Sequence, residues 1–550
     1  MTDPTDPPAQ DLGRLRDYPP RPLLLWCACG ALAAVYLAGV SAKWCPTPDS
    51  ALIMGLARSL ADGDGDQFNG QPNTVIPPGL PAQLAAVRRV GGRGEWAPNL
   101  FLALTGLLSL AVIHSVLSRL ADPRTALAVV LCTGLSYVFY EHAHRVLTDM
   151  PFVLLFWLVI WYWVSWGLWE ADAARRRHPL GPKAGTAVTL LTVCVLVVMG
   201  VAVRFPGVVA FGILAGAVLL DSRTLPGSTR RTALAAALLA SAAGAALGYR
   251  AFTRHLAGND PRYIERVGHA LPSGVGDALV RLGAGLAVMP ETASEIFTAQ
   301  DGLVPAILAG APLLALMAMG SACLWRGRRR AIVVLAWAYP LVLTLCTGHG
   351  NFRPRYLMPI TPLWFWLALE GVWAVLRGIA SRRRRAVTSR QYLVAATVFT
   401  SVFVATNAPR LARDAFYYGP LSRTDRYYKA VGAAETVQAA AMIRRLIPPG
   451  AKVFVRHDRY SMLHYLSGRL LEPFPRKHPR QTTGDADALI ELLRRSPSAY
   501  VLLHTGSDDG EAFTRRMREA LDGGPYALVC EGEEYRLYAP RPPEAGTNPT

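Results

Sequence analysis

Apolar residues in this chain come in about eleven runs close to membrane-spanning length, and that repetition restricts the fold more than any single residue does. The runs fall near 23–42, 98–118, 125–140, 150–168, 186–203, 206–220, 233–249, 303–323, 331–347, 357–376 and 391–408. A helix needs roughly 20 apolar residues to cross about 30 Å of hydrocarbon. Of the 550 residues, 52% are hydrophobic and 17% charged, whereas soluble domains carry about 25% charged residues. These features define an α-helical polytopic membrane protein with about eleven transmembrane helices.

The net charge of +18 invites a nucleic-acid reading, but its distribution excludes one. Arginines gather in short segments between apolar runs: Arg175–Arg177, Arg326 with Arg328–Arg330, and Arg382–Arg385. Such clusters hold the ends of spans in the cytoplasm against anionic lipid. Alternating the runs from a cytoplasmic N-terminus puts every dense cluster on one side. The expected organisation is a cytoplasmic tail 1–22, a transmembrane domain 23–408 with outer loops 43–97 and 250–302, and a soluble extracytoplasmic domain 409–550. The expected location is the plasma (inner) membrane. Few basic residues precede the first run, which is longer than a signal-peptide core, so it reads as a retained anchor. Six of the eight cysteines lie in apolar runs and no CxxC spacing occurs; Cys45 and Cys530 are the two outside them. Beyond residue 409, strand-like stretches such as Lys452–Val455 and Ala499–Leu503 alternate with amphipathic helical ones, the pattern of a small α/β domain.

Polar residues at the outer ends of the runs carry the chemistry. Asp49 follows the first run and starts an amphipathic stretch, Ala51–Leu60, where a helix N-terminus favours a carboxylate. An ionised acid held there can act as a general base. Ile76-Pro77-Pro78-Gly79-Leu80-Pro81 is a rigid corner that re-enters the membrane or positions the first loop. The link Glu141-His142-Ala143-His144-Arg145-Val146-Leu147-Thr148-Asp149 is denser in polar groups than a short connector needs. Asp149 before Met150-Pro151 reads as a helix-starting acid or a second active-site acid. His142, His144 and an acid form a possible divalent-metal site. Arg204 separates two apolar runs, and Arg353-Pro354-Arg355-Tyr356 starts another. An arginine at mid-bilayer costs on the order of 3 kcal/mol, so Arg204 snorkels or faces a cavity. Guanidinium forks suit phosphate oxygens.

In ordered combination, Pro48–Leu60, Pro77–Pro81, Leu147–Pro151 and Arg353–Pro359 resemble the C-type-fold (GT-C) glycosyltransferases that use polyprenyl-phosphate sugars, the superfamily of protein O-mannosyltransferases and aminoarabinose transferases. The resemblance covers most of the chain. It implies inverting transfer of a hexosyl or pentosyl group from a lipid-phosphate donor to a lipid, protein or glycan acceptor outside the membrane. By analogy Asp49 serves as base and Asp149 shapes the acceptor or sugar side. Arg204, Arg353 and Arg355, with Tyr356, grip the donor phosphate, while Pro77, Pro78, Gly79, His144 and Glu141 position the loop or acceptor. Ser50 stands where many relatives carry a second acid, so a paired-carboxylate site is not implied. Ile76 replaces a lysine that some relatives place before the turn, so phosphate contacts come from elsewhere. No cofactor is required by these motifs, and a divalent metal is possible.

Two competing readings belong to other classes. A transporter or flippase for a lipid-linked glycan would show charges at mid-span and an inverted repeat; these acids sit at span ends and no repeat is visible. A catalytically inactive scaffold would retain the framework without the base.

Overall fold

The computed structural model describes residues 22–541 except 45–46, 74, 93, 177–180, 222–227, 258–271, 328, 348–352, 384–386, 418–427, 429–432, 456–459, 474–485, 497, 505–510 and 533. The tail 1–21, Cys45 and parts of the arginine clusters therefore lie outside the described residues. The chain forms two compact units. One comprises 1–42, 74–83 and 91–420, and the other 43–73, 84–90 and 421–550.

Among the described residues of the first unit, seven helices are long and apolar enough to cross a membrane. They are Trp96–Leu120, Asp149–Trp166, Thr186–Val203, Ser228–Ala251, Leu303–Arg326, Thr361–Arg382 and Ser389–Asp414. The pair Pro123–Leu135 and Tyr137–Ala143, bent by 64°, makes an eighth if counted as one span. Three shorter apolar helices are Pro22–Ala38, Gly207–Leu220 and Arg330–Cys346. The 250–302 connection, expected as a loop, is in part helical. It contains the helix Val275–Thr298, whose charges at Asp277, Arg281, Glu291 and Glu295 break its apolar character.

The 64° bend shows how the apolar interior tolerates broken backbone. Ser136 is extended, with ψ 128°, so the helix stops and restarts there. Asn407, fully buried on Ser389–Tyr417, accepts the freed Tyr137 N–H at 3.0 Å and donates to the Phe297 carbonyl at 2.9 Å. The Ser136 hydroxyl donates to the Ile296 carbonyl at 3.1 Å. Without water, such groups must be satisfied inside the protein.

The second unit is a sheet sandwiched between helices, with part of the first loop packed on it. A hairpin, β1 (Gln67–Phe68) and β2 (Gln71–Pro72), turns at Asn69-Gly70, both with positive φ (56° and 71°), the choice that matches strand twist in a two-residue turn. The sheet proper contains β3 (Val453–Val455), β4 (Leu471–Pro473), β5 (Tyr500–His504), β6 (Tyr526–Glu531) and β7 (Tyr535–Pro540), in the order β4-β3-β5-β7-β6. Strands β4, β3 and β5 run parallel, while β7 is antiparallel to β5 and β6. Strand periodicity sends Phe454, Val501 and Leu503 to one core with Leu489, Leu493, Met517 and Leu521. Val453, Val455 and Leu502 go to the other with Ile443 and Leu463.

Loop residues are bound into this unit by specific contacts. The Asn69 side-chain amide donates to the Leu471 carbonyl and accepts the Leu471 N–H, occupying the backbone of edge strand β4. Phe68 meets the His464 ring edge-on at 4.7 Å, and Gly55 leaves room for the Phe68 ring, which a Cβ would meet at 2.5 Å. Trp44 lies 5.0 Å from the Tyr465 ring, and the Arg58 guanidinium sits 4.6 Å over that ring.

His464 donates from Nδ1 to the Arg469 carbonyl, 2.6 Å away. Burial, aided by the Arg58 charge, pushes its imidazole below the ordinary histidine value. The folded form therefore prefers neutral His464. Its contribution is intact above the unfolded value of about 6.5 and is lost as pH falls below it. The thermal midpoint of the wild type is expected to fall between pH 7.5 and 5.5 more steeply than that of His464→Gln. Equal slopes in the two proteins would remove His464 from the account.

Candidate active site

Asp149 is the first residue of the helix Asp149–Arg176, and Arg204 lies in the turn between Gly181–Val203 and Gly207–Leu220. That turn is tight: the Arg204 N–H donates to Gly200 at 2.9 Å and the Gly207 N–H to Arg204 at 2.8 Å. Gly207 lets the turn approach the Asp149 helix, since a Cβ there would meet Phe152 at 2.7 Å. The Arg204 Nη1 then donates to Asp149 Oδ1, with side-chain exposures of 12% and 4%. Neither charge is well placed alone in apolar surroundings; together they form a buried pair.

The expected corner Pro77-Pro78-Gly79 bears on the same turn. Pro78 precedes the helix Gly79–Gly91, and a Cβ on Gly79 would stand 2.6 Å from the Ala202 carbonyl oxygen and 2.8 Å from the Val203 nitrogen. Only a glycine fits against the backbone immediately before Arg204 without displacing it.

Arg355 and Tyr356 belong to the short helix Pro354–Leu357, which follows the exposed Arg353. Trp157, on the Asp149 helix, donates to the Pro359 carbonyl at 2.8 Å and ties the two segments together. The Tyr356 ring receives Arg204 at 5.0 Å and Arg355 at 4.8 Å from its centroid. Arg355 Nη2 also donates to the Tyr356 hydroxyl at 2.8 Å. Asp149, Arg204, Arg355 and Tyr356 thus form one cluster. It sets two guanidinium groups and one carboxylate around one tyrosine. Stacking of guanidinium groups on an aromatic ring is favourable.

Other residues expected at the site are engaged elsewhere. Glu141 accepts from the Tyr137 hydroxyl at 3.0 Å and pairs with Arg145 at 2.6 Å. Both nitrogens of His144 face carbonyl oxygens, those of Tyr140 and Tyr36, each at 2.8 Å. Gly39 leaves room for this ring, which a Cβ would meet at 2.6 Å. His142 Nδ1 is 2.8 Å from the Val138 carbonyl. Carbonyl oxygens thus face both ring nitrogens of His144 and the Nδ1 of His142.

Asp49 belongs to the second unit. It is exposed in the first turn of Pro48–Asp62, behind the N-cap Thr47. Ser50, the residue standing in place of a second acid, closes the capping box with Thr47. Its hydroxyl also accepts from Trp44 Nε1 at 3.0 Å. A structural duty explains the serine. Sequence reading missed Trp44, Asn407 and the Trp157 tether; each acts through buried polar contacts of one side chain, with no repeating pattern to announce them.

The model of the dolichyl-phosphate-mannose-protein mannosyltransferase family matches residues 75–173. No curated protein matches the chain by sequence. Among solved structures, ArnT from Cupriavidus metallidurans bound to undecaprenyl phosphate is similar at 15% identity and a TM-score of 0.59. That match covers 94% of this chain and 98% of ArnT. The Archaeoglobus fulgidus oligosaccharyltransferase tethered to an acceptor peptide matches at 12% identity and a TM-score of 0.56, over 95% of this chain and 74% of that one. The same archaeal enzyme, AglB, with an inhibitory peptide and a dolichol-phosphate, matches at 13% and 0.55, over 94% and 74%. The chain has the GT-C fold shared by these membrane glycosyltransferases.

Replacing Arg204 with Met should destabilise the protein by about 3–5 kcal/mol, because Asp149 is left buried without its counter-charge. The double variant Asp149→Asn/Arg204→Met should recover most of that loss. Thermal unfolding of the single and double variants in detergent measures the coupling; simple additivity would show that the pair does not hold the turn.

Proposed function

We propose that this protein transfers a sugar from a polyprenyl-phosphate carrier to an extracytoplasmic acceptor, inverting the anomeric centre. In this reading the eleven apolar runs all cross the membrane, with the N-terminus cytoplasmic and the α/β unit outside in the plasma (inner) membrane. What carries the reading is the pair of guanidinium groups, Arg204 and Arg355, that meet on Tyr356 beside Asp149 at the ends of apolar helices. The likeness to lipid-phosphate-dependent enzymes supports it.

The chemistry of the cluster suits the reaction. A sugar phosphodiester of a polyprenol carries one negative charge, which guanidinium forks recognise. As the C1–O bond breaks, its electron pair goes to the phosphate, which leaves as a monoester with a second charge developing. Arg353, exposed at the head of the same short helix, supplies a further cation. Donors placed where charge grows lower the barrier more than they strengthen substrate binding. Asp49 takes the proton from the acceptor hydroxyl, whose oxygen forms the new bond to C1 on the opposite face. Asp149 acts through Arg204 as a positioning residue.

Asp49→Asn is expected to lower turnover by about 10²–10⁴-fold while donor affinity stays the same. Radiolabelled polyprenyl-phosphate sugar and equilibrium binding of the donor measure the two quantities. Normal turnover in Asp49→Asn rules out the base assignment. Arg355→Ala should weaken donor binding by roughly 10–100-fold, the loss of one or two charge-assisted hydrogen bonds. An unchanged dissociation constant would remove Arg355 from the phosphate grip.

A further inference from the structure

The second unit brings together a set of metal-ligating side chains unrelated to the arginine cluster. His504 is the last residue of β5, Glu534 directly precedes β7, and Glu435 lies in the first turn of the helix Ala434–Leu446. One ligand atom from each lies within 4.8 Å of the other two. His504 Nε2 is 3.0 Å from Glu534 Oε2, and the antiparallel register of β5 on β7 sets His504 opposite Tyr535. The Tyr535 ring, edge-on at 4.9 Å, holds the imidazole plane.

Two features favour a bound cation over a simple ion pair. The ligands come from three separate segments of chain, as in a site that fastens a fold rather than a local pair. Burial is graded, which is the second. The His504 side chain is 5% exposed and that of Glu534 36%, so the site has a fixed inner ligand and an outer side open to water. Its position also fits, because it sits at the carboxyl end of the parallel strand β5, the edge where open α/β sheets commonly receive ligands.

We infer that Glu435, His504 and Glu534 bind a divalent transition-metal ion of the zinc type. An imidazole with two carboxylates suits Zn²⁺ or Mn²⁺ better than Ca²⁺ or Mg²⁺, which take oxygen ligands. At metal–ligand lengths of about 2.0–2.2 Å, ligand atoms in a tetrahedral site stand about 3.4 Å apart. Rotation of the two glutamate side chains brings the present spacings, 3.0 Å between His504 and Glu534 and up to 4.8 Å across the set, to that value, and water completes the shell. The ion fastens the start of Ala434–Leu446 to the β5–β7 edge and so stabilises the second unit. The inference does not depend on the sugar-transfer reading.

The test uses the full-length protein in detergent, free of affinity tag, stripped with chelator and titrated with ZnCl₂ by calorimetry. One saturable site and a raised thermal midpoint are expected. His504→Gln should weaken binding by about tenfold or more, and Glu534→Gln, at a half-exposed position, should do so without unfolding the sheet. His114→Gln, in the other unit, should bind as the wild type does. No saturable binding in the wild type, or equal affinity in both His504→Gln and Glu534→Gln, overturns the assignment.

Discussion

The buried pair of Arg204 and Asp149 is the interaction on which the Tyr356 cluster of the first unit depends. Each charge stands at the terminus of an apolar helix, where alone it would draw in water or displace the helix end. Paired, they fasten the turn at Arg204 to the start of the Asp149 helix. The neighbouring glycines follow from that: Gly207 admits Phe152, and Gly79 admits the backbone of Ala202 and Val203.

The second unit solves a different problem. Its sheet has an exposed edge at β4, and the loop hairpin covers it through the Asn69 amide. Trp44, Arg58 and Phe68 all bear on the helix Tyr460–Ser467, two of them on Tyr465. The segment carrying Asp49 is therefore part of a packed α/β structure, not a free loop. A carboxylate set in the first turn of a helix with a full capping box is held more rigidly than one on a mobile connection.

Much of this was legible because it repeats. Apolar runs of the right length announce helices, and strands such as Val453–Val455 and Tyr500–His504 announce themselves by β-branched and aromatic residues. Asp149 and Arg204 stood out as charges in apolar company. The helix Val275–Thr298 was hidden because Asp277, Arg281, Glu291 and Glu295 interrupt its apolar face, leaving no spanning signal. Strand β4, three residues long, is defined by its pairing and not by its composition. Joining the first loop to the tail was beyond sequence reading for a similar reason. The Asn69–Leu471 contact bridges 402 residues through one side chain, and nothing periodic points to it.

Hydrogen-bond accounting separates the polar residues at helix ends into two kinds. Asn407, His144 and Glu141 find their partners inside the protein: a broken helix, two carbonyls, a tyrosine and an arginine. Their polarity is consumed by the fold, so their presence among apolar runs says little about chemistry. The Tyr356 cluster differs in kind, because it gathers two guanidinium groups on one aromatic face. Desolvation and mutual repulsion both oppose such a gathering, and the aromatic face and the Asp149 carboxylate act against them.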